Sequence, residues 1–303
     1  MSLIGKKIGS GKSSEVFEYG EDKILKLFYA KSKHETIKWE YDKLLDAMDK
    51  GVPVPAVHDF IEYNGRLGIV AERIKGKTFW DTLVQHVKGK SFWDTLVHRI
   101  VKAGDGKNGG LPGLITDGIR LIAQTLHCIH SVKAELMDTS RMVLARAARY
   151  NKVITDSERE AVLSVLDSLP NDGTVCHGDP NFDNILINNG NAAYIDWYFM
   201  GSGYFMYDIA EFVITTRYLY MNPVILGTRF INFMEKHSEE IIRIFFEEYT
   251  RISGLEITDL DIWLIPSLTN RLNGGGCKKY KSRLLIDLRG KLKSCALKSI
   301  RAK

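Results

Sequence analysis

Short runs of alternating apolar and polar residues fill the first seventy positions, and such alternation predicts β-strands. Residues 34–48 differ, because their apolar side chains recur at near-helical spacing and predict a single helix. The prolines of GVPVP end this helix, and Asn64-Gly65 predicts a two-residue hairpin turn. The front of the chain is therefore predicted as a small antiparallel sheet with one helix, its strands lying in residues 3–11, 15–20, 23–28, 57–63 and 66–74.

Beyond residue 113 the pattern becomes mainly helical. Helical periodicity runs through ITDGIRLIAQTLHCIHSV and SRMVLARAARY, and a capping box at Thr155 and Glu158 begins a further helix. Strand-like residues return only in TVCHGD, NILI and AAYIDW, where Asn189-Gly190 predicts a tight turn. These patterns predict an α+β protein with two lobes: a small β-rich N-terminal lobe with one helix, and a larger, mainly helical C-terminal lobe that contains a β-hairpin.

A tandem repeat marks the junction between the two predicted lobes. IKGKTFWDTLVQH (74–86) is followed at once by VKGKSFWDTLVHR (87–99), and nine of the thirteen positions are identical. The unit is too short for a solenoid, so we interpret it as a duplication that adds helical turns to a linker. We expect an N-terminal lobe with its hinge at 1–73, a linker at 74–113 and a C-terminal lobe at 114–303.

Charge is unevenly distributed along the 303 residues, although the net charge is only +5. From Arg271 onward, eleven Lys or Arg residues accompany a single acid, Asp287, whereas residues 233–263 hold eight acids and three bases. A basic tail can bind nucleic acid or anionic lipid, but no stacking platform or recognition motif accompanies this one. We therefore interpret both segments as solvated helix faces and expect no nucleic-acid partner.

The composition, 45% hydrophobic and 26% charged, is that of an ordinary globular protein large enough for two lobes. Four scattered cysteines form no CxxC pair, which argues against a zinc site or a disulfide scaffold. The sequence shows neither a signal peptide nor an apolar segment of membrane-spanning length. These features predict a cytoplasmic protein without a membrane partner, and we expect a monomer or a weak dimer.

The segment HGDPNFDN (177–184) gathers polar side chains directly before the apolar strand ILI. Counting from the predicted turn, Ile185 faces Tyr194, so Asn184 and Asp196 emerge at the same open end of the hairpin. In an ideal register these two side chains point to opposite faces. Their convergence on one site therefore requires a different turn or frayed strand ends.

Asp179, Asn184 and Asp196 form a candidate cation site. Asp179 precedes Asn184 by five residues, across a loop. Carboxylate and carboxamide oxygens are hard ligands that suit Mg²⁺ rather than zinc. Because Mg²⁺ with few protein ligands usually takes phosphate oxygens to complete its shell, the set also predicts a phosphate-bearing ligand.

The front lobe contains a candidate phosphate site. GSGKSSEVF, residues 9–17, turns between two strands and can lay backbone N–H groups over a nucleotide. Lys26 stands in the apolar strand ILKLF, where it needs an anionic partner, and Glu40 on the following helix can supply one. A plain turn and a snorkelling lysine explain each feature alone. Together with the hairpin residues, these features predict a nucleotide site.

HGDPNFDNILI followed by YIDW resembles the HGD-x4-N and IDW motifs of the aminoglycoside phosphotransferase/choline kinase family, whose fold is that of protein kinases. The resemblance covers most of the chain, since the Gly-rich IGSGKSSEVFEY, the hinge-like VAERI and YDIA also match. One departure is Gly203-Tyr204-Phe205, where the family often has Gly-Asp-Pro. This departure and the duplicated linker concern the acceptor pocket and leave the core chemistry intact.

The resemblance implies a role for each candidate residue. Asp179 is expected to be the catalytic base that orients an acceptor hydroxyl, while Asn184 and Asp196 hold Mg²⁺. The remaining implied residues are the phosphate loop Gly9, Ser10 and Gly11, the phosphate-binding pair Lys26 and Glu40, the purine-binding hinge Ala71, Glu72 and Arg73, the structural supports His177 and Asp208, and the loop cap Asp183.

The predicted reaction is Mg²⁺-dependent transfer of the γ-phosphate of ATP or GTP to a hydroxyl of a small molecule. The resemblance implies an aminoglycoside, a choline-like amino alcohol, a sugar or an amino acid as the acceptor. A P-loop NTPase is excluded, because Lys6 stands where Walker A needs a glycine.

Two alternative functions stay open. A protein kinase shares the same motifs, but Asp208 lies only twelve positions after Asp196 and no APE follows, which favours a small acceptor. A non-catalytic nucleotide-binding module is the other alternative. It is disfavoured because all four residues that a degenerate kinase would be expected to lose are retained, namely Lys26, Asp179, Asn184 and Asp196.

Overall fold

Five antiparallel strands form the sheet of the N-terminal lobe in the computed structural model, which describes residues 3–81, 111, 113–218, 228–274 and 278–301. The strands are β1 (Ile4–Ser10), β2 (Ser14–Tyr19), β3 (Lys23–Phe28), β4 (Val57–Tyr63) and β5 (Arg66–Glu72). They lie in the order β1-β2-β3-β5-β4, and every neighbouring pair is antiparallel. The predicted front sheet is confirmed.

Helix α1 (His34–Asp49) packs against this sheet. Its apolar stripe and the facing strand residues form a small core of Phe28, Ile37, Val57 and Ile69. The turn between β4 and β5 has φ angles of 50° at Asn64 and 71° at Gly65, the left-handed values that the Asn-Gly pair favours. One helix on one small sheet is thus the observed architecture of this lobe.

The C-terminal lobe is mainly helical, as predicted. Its helices within the described residues are α2 (Gly113–His130), α3 (Ser140–Arg149), α4 (Asp156–Ser168), α5 (Met206–Tyr218), α6 (Thr228–Ser253), α7 (Leu260–Leu272) and α8 (Lys278–Arg301). The capping box before α4 is present: the N–H of Glu158 donates to the Thr155 hydroxyl at 3.2 Å, and the N–H of Thr155 donates to the Glu158 carboxylate at 2.8 Å. None of the described helices combines the length and the apolar character needed to span a membrane.

Helix α5 runs through the core of this lobe. Every residue from Met206 to Thr216 is buried, so Asp208 and Glu211 are enclosed in a largely apolar helix. A buried carboxylate is costly unless donors compensate for the water it has lost. Neighbouring elements must therefore supply partners for both acids.

Two smaller sheets complete the fold. One contains β6 (Lys77–Thr78), β8 (Ile185–Asn188) and β9 (Asn191–Tyr194), and the other pairs β7 (Thr174–Cys176) with β10 (Gly201–Gly203). The β8–β9 hairpin has the predicted register, with Ile185 opposite Tyr194. Strand β6 was not predicted; it comes from the first copy of the tandem repeat and pairs with β8. The second copy, residues 87–99, lies outside the described residues.

Phe79 anchors the first repeat copy to the C-terminal lobe. Its side chain is buried, and its ring packs edge-to-face against Phe182 with the ring centroids 5.2 Å apart. The same ring fits against Gly118 of α2, where a Cβ atom would lie 1.9 Å from Phe79 Cε2. This close approach explains why a glycine stands inside a helix that would otherwise favour alanine.

We expect Gly118→Ala to destabilise the protein, because the added methyl group would displace Phe79 and overpacking a tight core costs about 1–3 kcal/mol. Gly290→Ala in α8 is the matched control, since no atom lies within 4 Å of its Cβ position. There the better helix propensity of alanine should raise the free energy of unfolding by about 0.5–1 kcal/mol. Urea denaturation measures both variants, and a gain in stability at position 118 would contradict the packing described.

Candidate active site

The HGDPNFDN segment leaves β7 through a conformation that requires glycine. Gly178 has a φ of 84°, and a Cβ atom there would lie 2.2 Å from the carbonyl oxygen of Phe199. Both the left-handed backbone and the close contact exclude a side chain. The sharp turn that results brings Asp179 beside Asn184, directly before β8.

His177 is fully buried and bonds the backbone at two places in the site, at Asp179 and at Ile195. Its Nδ1 accepts the backbone N–H of Asp179 at 3.2 Å, and its Nε2 donates to the carbonyl of Ile195 at 3.0 Å. Burial lowers the pKa of His177, which agrees with a neutral ring that carries its proton on Nε2. These backbone contacts fit the structural part expected of this residue.

Asp208, on α5, holds the start of the same turn. Its carboxylate accepts the backbone N–H groups of His177 and Gly178, each at 2.7 Å. The Nε2 of His130 lies 3.0 Å from the same carboxylate, and the Nδ1 of His130 lies 2.7 Å from the hydroxyl of Tyr249. Hydrogen bonds to an ionised acceptor are stronger than neutral ones, so this acid is well placed to brace the turn.

The ligand atoms of His130, Cys176 and Asp208 lie within 4.8 Å of one another, as they would in a metal centre. All three residues are buried, and each atom already has a hydrogen-bond partner; the Cys176 thiol, for example, lies 3.4 Å from the carbonyl oxygen of Tyr204. Burial raises the pKa of Cys176, so the sulfur stays protonated and a poor metal ligand. The cluster is a hydrogen-bond network beneath the turn.

Asn184 contacts Asp179 through its amide nitrogen. Its Nδ2 donates to the backbone carbonyl of Asp179 at 3.0 Å and to Asp179 Oδ2 at 3.1 Å. This arrangement leaves the carboxamide oxygen of Asn184 as the atom for a cation. The loop is capped by Asn181, whose side-chain oxygen accepts the N–H groups of Asp183 and Asn184; assigning the cap to Asp183 was wrong.

Asp196 follows β9 in a left-handed conformation, with φ 60° and ψ 66°. The hairpin pairing continues to Ile195, whose N–H donates to the carbonyl of Asn184 at 2.8 Å, so the strand ends are not frayed and the chain leaves the strand direction at Asp196 itself. The Oδ1 of Asp196 lies 3.2 Å from the Nζ of Lys26, and the same Nζ donates to Glu40 at 2.7 Å. Burial works to lower the pKa of Lys26, but the two carboxylates outweigh it and raise that pKa to about 12. A lysine that is always charged therefore connects α1 to the hairpin across the two lobes.

The Gly-rich turn is closed by backbone pairing between its own residues. Gly9 and Ser10 belong to β1 and pair with Val16 and Glu15 of β2. The N–H of Gly11 donates to the carbonyl of Ser14 at 2.8 Å, and no atom lies within 4 Å of the position of a Cβ at Gly11. The space beside the turn is therefore open, but the Gly11 N–H is already bonded within it.

The hinge-like segment lines a cavity of about 400 Å³ that also includes Leu186 of β8. Ala71 is the penultimate residue of β5, and the N–H groups of Glu72 and Arg73 donate to Ala56 and Asp22 at 2.7 and 2.9 Å. These two donors are therefore not available to a purine. The next N–H along the chain belongs to Ile74, which lines the same cavity, and no described residue accepts a hydrogen bond from it.

Arg271 is the main residue that sequence analysis missed. It was counted as the first residue of a solvated basic tail, but its side chain is 15% exposed and its Nη2 lies 2.6 Å from Asp179 Oδ1. Burial works to raise the pKa of Asp179, but the charge of Arg271 brings it below its ordinary value. The catalytic aspartate predicted from the motif therefore has a cationic partner on α7.

Lys43 is a second missed residue. It lies three positions after Glu40 on α1, and its buried Nζ donates to the carbonyl of Tyr198 at 2.9 Å, two residues beyond Asp196. Asp138 lies 3.4 Å away, but burial dominates and lowers the pKa of Lys43 to about 8. A lysine in the middle of a helix carries no sequence signal that separates it from an exposed one.

The chain matches a known protein family. Residues 4–225 match the phosphotransferase enzyme family (APH). Because the match extends over most of the 303 residues, the chain belongs to that family, and the predicted family is confirmed. No curated protein matches the chain.

Solved structures share the fold. A thermostable mutant of aminoglycoside phosphotransferase APH(4)-Ia, in ternary complex with ADP and hygromycin B, has a TM-score of 0.53 at 14% identity, covering 97% of this chain and 92% of that one. Amicoumacin kinase hAmiN, in complex with AMP-PNP, Ca²⁺ and Ami, has a TM-score of 0.55 at 13% identity, covering 96% and 88%. A choline/ethanolamine kinase family protein from Mesorhizobium loti has a TM-score of 0.50 at 13% identity, covering 97% and 87%. These likenesses confirm the bilobal, protein-kinase-like α+β fold.

We expect Asp208→Asn to weaken the turn, because the amide nitrogen replaces one of the two accepting oxygens and leaves the backbone N–H of His177 or of Gly178 without an acceptor. A buried polar group left without its partner costs about 1–3 kcal/mol, so the free energy of unfolding should fall by at least that amount. Asp261→Asn is the control, since that acid is 71% exposed in its ion pair with Lys291 and such pairs contribute about 0–1 kcal/mol. Urea denaturation measures both, and equal losses would show that Asp208 is not a brace.

Proposed function

We propose that the protein transfers the γ-phosphoryl group of ATP to a hydroxyl group of a small molecule. The observation that carries this proposal is the chain of contacts from Glu40 through Lys26 to Asp196. Asp196 directly follows Ile195, whose N–H donates to the carbonyl of Asn184 at 2.8 Å, and Asn184 in turn bonds Asp179. A cation from the N-terminal lobe is thereby held next to oxygen ligands of the C-terminal lobe. Phosphoryl transfer needs this kind of positioning and charge neutralisation.

In the proposed reaction, the acceptor oxygen forms a bond to the γ-phosphorus while the bond from that phosphorus to the β–γ bridging oxygen breaks. ADP leaves, and the proton of the acceptor hydroxyl passes to Asp179, which orients the hydroxyl before transfer. Lys26 lies with its charge toward the phosphates. The purine occupies the hinge cavity, where the N–H of Ile74 has no hydrogen-bond acceptor among the described residues.

Asn184 and Asp196 would hold the Mg²⁺ that accompanies the nucleotide. The donor set fits, because the amide nitrogen of Asn184 is engaged by Asp179 and leaves its oxygen for a cation, and the side chain of Asp196 is 53% exposed. The ion would neutralise the charge of the phosphate oxygens. The nucleotide complexes of the APH(4)-Ia and hAmiN structures, with ADP and with AMP-PNP and Ca²⁺, support a donor of the ATP type.

A small acceptor is favoured over a protein substrate. The thirteen residues from Asp196 to Asp208 form a 3₁₀ turn, β10 and the start of α5, and most are buried, which leaves no segment there on which a peptide would dock. Hygromycin B and choline are suitable first acceptors, because one solved structure of this fold is a complex with hygromycin B and another is of a choline/ethanolamine kinase family protein. The described cysteines are free thiols, which supports a cytoplasmic site for the reaction.

Asp179→Asn and Asp196→Asn should separate transfer from nucleotide binding. The first variant removes the group that orients the hydroxyl, so transfer should fall by about 10²- to 10⁴-fold, while Mg-AMP-PNP still binds. The second removes a cation ligand and should weaken binding as well as transfer. Calorimetry with Mg-AMP-PNP and ADP release from Mg-ATP measure the two effects. Full transfer by Asp179→Asn, or equal loss of binding in both variants, would refute this division.

Lys26→Ala should reduce nucleotide affinity and turnover, because in the proposed reaction the charge of the lysine faces the phosphates. The protein should stay folded, although Glu40 and Asp196 lose their cationic partner. Lys23→Ala is the matched control, since Lys23 lies exposed on the same strand β3 and should leave both quantities unchanged. Calorimetry with Mg-AMP-PNP and thermal unfolding follow the two variants. If Lys26→Ala binds and turns over nucleotide as the parent does, Lys26 of the central strand β3 has only a structural part, as the partner of Glu40 and Asp196.

A further inference from the structure

Arg271 ties helix α7 to acids on two other elements. Its Nη2 lies 2.6 Å from Asp179 Oδ1 and 2.6 Å from Glu211 Oε2, and its Nε donates to the same Glu211 oxygen at 2.7 Å. The side chains of Arg271 and Asp179 are 15% and 16% exposed, and that of Glu211 is 3% exposed. One guanidinium therefore connects the HGDPNFDN segment with α5 and α7 in a nearly dry environment.

Stability alone is a weak reason for this cluster. Taking three charges out of water is expensive, and apolar residues of similar volume often stabilise such a site as well or better. The stronger reason for the cluster is that it orients a carboxylate. A guanidinium presents its N–H groups in a rigid plane, so it fixes the orientation of a carboxylate more closely than a flexible ammonium group does.

The two oxygens of Asp179 are held from different sides. Oδ1 accepts from Arg271 at 2.6 Å, and Oδ2 accepts from the amide of Asn184 at 3.1 Å. Asn184 belongs to the proposed cation and phosphate site, so Oδ2 is the oxygen on the side of the transferring phosphate. Oδ1 is committed to the ion pair with α7.

On the basis of the proposed function, we propose that Arg271 is a positioning residue for the catalytic aspartate. By holding Oδ1, it turns the Asp179 carboxylate so that Oδ2 receives the hydrogen of the acceptor hydroxyl. That proton passes to Oδ2 as the acceptor oxygen bonds phosphorus and the bond to ADP breaks. Arg271 acts through Asp179, and Glu211 fixes Arg271, so the alignment of the base depends on how α7 packs against α5.

Arg271→Met and Arg271→Lys test this proposal, with Arg217→Met as the matched control. Arg217 makes a two-point ion pair with Glu239, at 2.7 and 2.9 Å, and no hydrogen bond joins it to Asp179 within the described structure. Three quantities are measured: the affinity for Mg-AMP-PNP by calorimetry, the rate of ADP release from Mg-ATP with and without hygromycin B or choline, and the thermal unfolding temperature.

We expect Arg271→Met to lower turnover by about 10- to 100-fold, since misplacing a reacting group by about 1 Å costs a factor of this size. The affinity for Mg-AMP-PNP should stay at the parental value. Arg271→Lys should be intermediate, because it keeps the charge without the planar fork. Adding Arg271→Met to Asp179→Asn should cause no further loss, because both changes remove the same function. Arg217→Met should turn over as the parent does.

Arg271→Met leaves the carboxylates of Asp179 and Glu211 without their shared cation, and this could unfold the protein. A second variant keeps the test valid in that case. Arg271→Met combined with Glu211→Gln restores the net charge of the cluster and should show the same loss of turnover. Parental turnover in a folded Arg271 variant, or a full additional loss in the Asp179→Asn background, would overturn the proposal. If the unmodified protein binds no Mg-AMP-PNP and releases no ADP, the proposed function fails, and the role of Arg271 fails with it.

Discussion

A single buried carboxylate, that of Asp208, sets the geometry on which the rest of the site depends. Its position inside α5 removes it from water, and the N–H groups of His177 and Gly178 compensate for that loss. The same bonds satisfy two donors that a sharp turn would otherwise leave unpaired in a dry region. The core helix and the loop therefore each satisfy polar groups of the other.

Helix α5 also reaches the loop by a second route. Glu211, three residues after Asp208, binds Arg271, and Arg271 binds Asp179. The backbone of the loop is thus fixed through Asp208 and the side chain of Asp179 through Glu211. Two acids on one buried helix can in this way set both the position and the direction of one carboxylate, which explains why a largely apolar core helix carries them.

Helix α1 positions Asp196 in a similar way, through two of its side chains. Glu40 holds Lys26 against the Asp196 carboxylate, and Lys43, one turn later, holds the carbonyl of Tyr198 just beyond it. The Nζ of Lys43 also lies 4.5 Å from the ring centroid of Trp39, so a buried cation is compensated from several directions. The left-handed backbone at Asp196 is therefore supported from the N-terminal lobe.

The features that could be predicted from sequence depend on near neighbours or on a known motif. The Asn-Gly turns, the capping box at Thr155 and the register of the hairpin each follow from a few adjacent residues, and the motif resemblance supplied Lys26 and Asp179. Arg271 and Lys43 could not be found this way, because their partners lie 92 and 155 residues away. Strand β6 was missed for the same reason, since two residues become a strand only where β8 offers an edge.

The uneven charge along the sequence has a comparable explanation. Residues of the basic tail pair with acids of the C-terminal lobe, as in Arg283–Glu235, Arg289–Glu158 and Lys291–Asp261. Charges of the basic tail are therefore neutralised by acids within this lobe. The acidic segment is for that reason a poor guide to the charge of the acceptor. Arg271 resembles Arg283, Arg289 and Lys291 in that it pairs with acids distant in sequence. It differs in that one of those acids is Asp179, so for this residue an ordinary intramolecular ion pair reaches the proposed reaction centre.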